Sequence, residues 1–130
     1  MIQHVTLEVR REDAEAEARF WELLGFSPVE PPAGMGGRSL WLERAGTQVH
    51  LAYEPAPDIP ARGHVAVVAP DYAPTIAALR GAGHPVDPRE EHWGAARAYI
   101  SSPAGHTVEV MAAPPPAADS PAGPVAPAPS

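Results

Sequence analysis

The chain contains neither cysteine nor lysine, and these two absences remove several kinds of chemistry. None of its 130 residues is cysteine, so disulfides, thiolate metal ligands and cysteine nucleophiles are excluded. All nine basic residues are arginine. Without lysine the chain forms neither a Schiff base with a substrate nor a lysine-linked pyridoxal phosphate. Histidine and carboxylate side chains remain as the candidates for metal binding and proton transfer.

Long apolar segments and clusters of basic residues are also missing. No apolar run approaches the length of a membrane-spanning helix, and the first residues do not resemble a signal peptide. The net charge of −7 argues against nucleic acid as a partner. We therefore expect a soluble, cytoplasmic protein that binds neither membranes nor nucleic acid and acts on a small molecule.

The last segment differs in composition from the rest of the chain. Residues 113–130 hold seven prolines and six alanines, and Val125 is their one large apolar side chain. Such a segment cannot bury enough apolar surface to offset the entropy lost on ordering. The sequence thus predicts a disordered or polyproline-like tail after one folded domain at residues 1–112.

The folded part follows one pattern that is used twice. Alternating apolar residues predict strands, and apolar residues at helical spacing predict one helix in each half. The elements predicted for the first half are a strand at 2–10, a helix capped by Asp13, a strand at 26–30 and a hairpin at 38–43 and 47–53. Those of the second half are a strand at 63–69, a helix capped by Asp71, a strand at 84–88 and a hairpin at 97–102 and 106–112. The sequence therefore predicts two βαβββ modules, at about 1–53 and 63–112.

Residues that commonly bind metals fall at matching points of the two halves. His64 lies 60 residues after His4, and Glu109 lies 59 residues after His50. Strand alternation places these four side chains on the sheet face opposite the one that packs against the helices. A repeat with such residues at equivalent places suggests two half-sites that converge on one metal ion.

The repeat also predicts how the two hairpins pair. If the second hairpin copies the first, Trp41 lies opposite His50, and Ile100 lies opposite Glu109.

Strand alternation places His106 on the opposite sheet face from Glu109, and His106 also lies at the hairpin turn, so we expect it to be structural. Glu8 is expected to be a polar strand residue rather than a base.

The sequence resembles the vicinal oxygen chelate superfamily, which includes glyoxalase I, bleomycin-resistance proteins and extradiol dioxygenases. The similar segments are Ile2-Gln3-His4-Val5-Thr6-Leu7, Phe20-Trp21-Glu22-Leu23-Leu24-Gly25-Phe26, Gly63-His64-Val65-Ala66-Val67 and the closing Ser102-Pro103-Ala104-Gly105-His106-Thr107-Val108-Glu109-Val110. The resemblance covers residues 1–112. It implies an α+β fold in which two βαβββ modules form a curved, mixed eight-stranded sheet around a cup.

The resemblance also implies a metal site. Superfamily ligands come from the first and last strands of each module, which here carry His4, His50, His64 and Glu109. His50 departs from the pattern, because glyoxalase I-like members usually have Glu at this position and epimerase-like members have Gln. Three imidazoles and one carboxylate suit a divalent ion such as zinc, nickel, cobalt, iron(II) or manganese.

The leading hypothesis is a metal-dependent lyase or isomerase, similar in mechanism to glyoxalase I or an epimerase. Its substrate would be a small molecule with two neighbouring oxygens. Glu109 or His50 would transfer the proton. Trp41, Trp93 and Arg97 are candidate substrate contacts, since they lie on or just before strands of the candidate site.

Two other functions remain open from the sequence. One is a non-catalytic module that binds a small molecule or an antibiotic, as bleomycin-resistance proteins do. The other is an extradiol dioxygenase, which needs iron(II) held by two histidines and one carboxylate, a set that His4, His64 and Glu109 would supply. We also expect a homodimer, with the cup formed either within one chain or between modules of neighbouring chains.

Overall fold

The first half of the chain forms a complete βαβββ module. The computed structural model describes residues 1–118 of the protein. A short 3-10 turn at Arg11–Asp13 leads into the helix. The elements of this module are β1 (His4–Val9), α1 (Ala14–Leu23), β2 (Ser27–Val29), β3 (Ser39–Arg44) and β4 (Thr47–Tyr53).

The second half repeats these elements in the same order. They are β5 (Val65–Val68), α2 (Tyr72–Gly81), β6 (Val86–Arg89), β7 (Arg97–Ser101) and β8 (Thr107–Met111). The predicted pair of modules and the α+β class are confirmed. The helices begin directly after Asp13 and Asp71 as expected, but neither aspartate side chain makes a capping hydrogen bond.

The eight strands form two separate four-stranded sheets and not one continuous sheet. Their orders are β1-β4-β3-β2 and β5-β8-β7-β6. In each sheet the first strand of the module pairs in parallel with the last, and the other pairs are antiparallel. Strands β1 and β5 therefore each lie at a sheet edge, and no strand within residues 1–118 pairs with their outer sides.

One apolar core joins the two modules. It holds the alternate strand residues that face the helices, such as Val49 and Leu51 in β4 and Val108 and Val110 in β8. These strand residues pack with the helix side chains in a single cluster. Burial of this apolar face on both sheets fixes the opposite face as the one that carries the histidines.

Two buried polar side chains of the core also link the modules. The carboxyl group of Glu17 in α1 accepts a hydrogen bond from the backbone N–H of Ala104, 2.8 Å away in the β7–β8 turn. His106 in the same turn places Nε2 2.8 Å from the carbonyl oxygen of Glu8 in β1, to which it donates. His106 is 4 % exposed, which agrees with the structural role expected for it.

The pairing registers of the two hairpins differ by one residue, so one of the predicted residue pairs was wrong. Trp41 lies opposite His50 as predicted. Glu109, however, lies opposite Tyr99, and Ile100 lies opposite Val108. The predicted pairing of Ile100 with Glu109 was wrong because a turn of five residues, 102–106, joins β7 to β8, and this turn alters the offset between the two copies.

The chain after β8 carries no helix or strand as far as the structure describes it. Residues 114–118 are exposed. The rest of the predicted tail, 119–130, lies outside the described residues. No helix within residues 1–118 is both long and apolar enough to cross a membrane.

Candidate functional site

The four predicted ligands lie on the sheet faces that point away from the core. His4 is the first residue of the edge strand β1, His64 directly precedes the edge strand β5, and both are exposed. His50 and Glu109 lie in the neighbouring strands β4 and β8 and are 8 % and 6 % exposed. The strand register that buries Val49 and Val108 thus directs the neighbouring His50 and Glu109 to the other face.

The first module gathers three rings in one stack, which we call the ring stack (His4, Trp41 and His50). The ring centroids of Trp41 and His50 are 3.8 Å apart with an interplanar angle of 3°. His4 stacks on the other side of His50 at 4.2 Å and 15°. Because the rings lie face to face, their edges, which carry the imidazole nitrogens, form the side of the stack.

Glutamine side chains orient both imidazoles of the ring stack. His50 Nε2 lies 2.8 Å from Gln48 Oε1, and His4 Nδ1 lies 2.6 Å from Gln3 Oε1. An amide oxygen only accepts, so the imidazole nitrogens donate.

Burial, and secondly the charge of neighbouring His4, lower the pKa of His50 from its ordinary value. His50 is therefore biased towards the neutral form, which is the form that binds metals.

The second module forms a charged group, which we call the Glu109 cluster (His64, Arg97, Tyr99 and Glu109). Glu109 Oε1 lies 3.1 Å from His64 Nε2, and Glu109 Oε2 lies 3.2 Å from Arg97 Nη1. The Arg97 guanidinium also faces the Tyr99 ring, 5.9 Å from its centroid. Both carboxylate oxygens of Glu109 are thus engaged by nitrogen partners.

His64 is oriented by the backbone. Its Nδ1 lies 2.9 Å from the carbonyl oxygen of Arg62, to which it donates. The other nitrogen, Nε2, then points towards Glu109. This is the arrangement typical of metal-binding histidines, in which a backbone carbonyl fixes the ring and leaves the second nitrogen for the ion. His64 and Glu109 are therefore a candidate pair of metal ligands.

The two modules do not bring their candidate ligands together within one chain. Among residues 1–118, no three histidine, aspartate or glutamate side chains lie close enough to hold a metal ion. His4 and His50 form one pair, and His64 and Glu109 form the other. The side-chain types therefore suit a divalent ion, but one chain offers only two of them at each place.

The candidate substrate contacts have different surroundings. Trp41 belongs to the ring stack, and Arg97 belongs to the Glu109 cluster. Trp93 donates its indole N–H to the carbonyl oxygen of Ala113 at 2.9 Å, so it anchors the chain that leaves β8. Its ring lies 5.7 Å from the Arg97 guanidinium, beside the Glu109 cluster.

Tyr99 is a site residue that the sequence did not predict. It occupies in the second module the place of Trp41 in the first, opposite the candidate ligand of the last strand. Its ring centroid lies 5.2 Å from that of His64. A match of the two aromatic residues at an offset of 58 rather than 59 would have found it.

These features define the class to which the protein belongs. A sequence profile described as the glyoxalase-like domain matches residues 4–111. The chain belongs to this family, and thus to the vicinal oxygen chelate superfamily.

Solved structures show the same fold at low sequence identity. A glyoxalase family protein from Bacillus anthracis is 24% identical, with a TM-score of 0.76 over 85% of this chain and 93% of that one. A lactoylglutathione lyase from Agrobacterium tumefaciens is 20% identical, with a TM-score of 0.65 over 85% and 92%. TnmS3, an antibiotic-binding protein from Streptomyces sp. CB03234, is 23% identical, with a TM-score of 0.65 over 85% and 93%. No curated protein matches the chain.

Proposed function

We propose that the protein is a divalent-metal-dependent lyase or isomerase whose site is completed by two copies of the chain. The observation that carries this proposal is the division of four suitable ligands into two pairs on separate sheets. In the proposed dimer, His4 and His50 of one copy face His64 and Glu109 of its partner. The substrate is a small molecule with two neighbouring oxygens.

The donor set supports a divalent ion at this place. Three imidazoles and a carboxylate are ligands that zinc, nickel, cobalt, iron(II) and manganese accept. The 3.1 Å between His64 Nε2 and Glu109 Oε1 suits two ligands that each lie about 2 Å from one ion. A bound ion of this kind polarises a substrate carbonyl and stabilises negative charge on its oxygen.

The proton-transfer role falls to the side chains that surround the ion. Glu109 is held between His64 and Arg97, so its carboxylate keeps one nitrogen partner when the other is displaced. His50 is the second candidate, because in its neutral form Nδ1 is free to accept a proton whenever it does not hold the ion. Arg97 also supplies a fixed positive charge for an anionic group of the substrate.

The exposed edges of both sheets support the assembly of two copies. Strands β1 and β5 each have an unpaired outer edge, next to the exposed His4 and His64. An open sheet edge is typical of a surface that another chain covers.

Metal binding by purified, metal-stripped protein tests the proposal. We expect titration calorimetry with zinc, nickel, cobalt and manganese to give one site per chain for at least one ion. His64→Ala is expected to weaken binding at least tenfold, since a ligand is lost. His92→Ala, which changes an exposed histidine, is the control and should leave affinity unchanged. Absence of binding by every ion, or equal affinity in His64→Ala, would contradict the proposal.

A second function, metal-free binding of a planar small molecule, is favoured by the ring stack. The three rings stack face to face at 3.8 and 4.2 Å, and a planar ligand would extend this stack from an outer face without any metal. The structural similarity to an antibiotic-binding protein agrees with such a role. Trp41→Ala separates the two functions: it should abolish binding of a planar ligand and leave the metal ligands in place.

A further inference from the structure

An apolar cavity lies between the two modules, away from the stacked rings. Its volume is about 760 Å³, within the range of small-molecule pockets. The walls include five valine side chains of β1, β4 and β5, together with Phe26, which directly precedes β2. Met1 and Ile2 line it as exposed residues and so stand at its mouth. The cavity is large enough for a ligand of moderate size.

One guanidinium faces this cavity. Arg44, at the end of β3, is half-buried and lines the cavity. Its Nη1 donates to the carbonyl oxygen of Val68 at 2.9 Å. Within residues 1–118, no carboxylate lies within 4.0 Å of its guanidinium. A guanidinium carries five N–H donors, so several are free to bind an anion.

The position of Arg44 sets the length of a suitable ligand. Arg44 contacts Val68 at the end of β5, whereas His64, which also lines the cavity, precedes the start of that strand. Four residues of strand separate the two places, which is about 13 Å at a rise of 3.3 Å per residue. Only apolar β5 residues line the cavity between them.

We propose that this cavity binds an elongated, apolar monocarboxylic acid whose carboxylate accepts hydrogen bonds from Arg44. One guanidinium matches one negative charge, and the valine walls match a hydrocarbon chain. The far end of such a ligand reaches His64, which contacts Glu109. The proposal does not depend on metal binding, because neither Arg44 nor the valines belong to the candidate metal ligands.

The test is a nuclear magnetic resonance titration of isotope-labelled, full-length protein with decanoate, in EDTA and below the micelle concentration. Decanol is the uncharged probe of matched length. We expect decanoate to shift the backbone amides of 65–68 and of Val49 in a saturable way, and decanol to bind about tenfold more weakly. Arg44→Gln should weaken the binding of decanoate about tenfold and leave the binding of decanol unchanged. Arg80→Gln, on the exposed surface of α2, is the matched control and should change neither.

Val65→Phe provides a second test that leaves the charge of Arg44 in place. The larger side chain fills part of the cavity and should weaken both probes at least tenfold, with folding checked by circular dichroism. Decanoate that shifts no cavity amide, or that binds Arg44→Gln as tightly as the wild type, would overturn the proposal. Equal affinity for decanol would overturn the role of Arg44. The EDTA keeps these outcomes separate from those of the metal titration.

Discussion

Glu17 offers the sharpest prediction about what holds the two modules together. It is a carboxylic acid with 0 % exposure, in the first turn of α1. Its Oε1 accepts the backbone N–H of Ala104 at 2.8 Å, and its Oε2 accepts the indole N–H of Trp21 at 3.3 Å. Trp21 is itself fully buried. Glu17 thus satisfies two donors, one of them in the other module.

Glu17→Ala removes the acceptor of both donors at once. A buried donor that loses its partner costs about 1–3 kcal/mol, so two such donors cost about 2–6 kcal/mol. We expect the free energy of unfolding to fall by about 4 kcal/mol. For a domain of this size that corresponds to a melting temperature lower by roughly 15 °C. Glu17→Gln keeps one acceptor oxygen and should lose about half as much.

Urea unfolding followed by circular dichroism measures this loss. Glu15→Ala changes an exposed glutamate on the same helix and is the control, for which we expect a change within about 0.5 kcal/mol. If Glu17→Ala were no less stable than Glu15→Ala, the argument that Glu17 joins the modules would be refuted.

Two further predictions concern buried histidines. His106→Ala leaves the carbonyl of Glu8 without its donor and should lower the free energy of unfolding by about 2 kcal/mol in urea titrations. His92→Ala changes an exposed histidine and should not lower it. Equal stability of the two variants would contradict the link between His106 and Glu8. In metal-free protein, nuclear magnetic resonance should place the pKa of His50 below 6.5, because burial and His4 disfavour its charged form. The neutral form of His50 then contributes stability above pH 6.5, which is lost as the pH falls through its lowered pKa, and a midpoint above 6.5 would contradict this.

The fold could be predicted from the sequence because the same local signals occur twice. Alternating apolar residues predicted all eight strands, and helical spacing predicted the two helices, in the order in which they follow along each module. The same alternation predicted which face of each sheet packs against the helices. The register of the second hairpin could not be obtained in this way. The prediction placed each residue of the second hairpin 59 positions after its counterpart in the first. The five-residue turn at 102–106 changes this spacing and brings Tyr99, and not Ile100, opposite Glu109.

The candidate site was predicted less completely than the fold. Strand alternation places His50 and Glu109 on the outer sheet faces, but it contains no information on how two separate sheets are arranged. The sequence suggested one metal site, whereas the structure holds the candidate ligands in two pairs. The cavity that Arg44 lines could not be predicted from the sequence either, because it depends on contacts between β3 and β5.

A metal measurement on mixed dimers tests the central claim most directly. One variant carries His4→Ala with His50→Ala, and the other carries His64→Ala with Glu109→Gln. The two are co-expressed with different affinity tags and purified through both tags. If two copies share each site, such a dimer retains one intact site and should bind about half as much metal per chain as the wild type. Each variant alone should bind almost none. A mixed dimer that binds no more than the separate variants, while the wild type binds fully, would contradict the account.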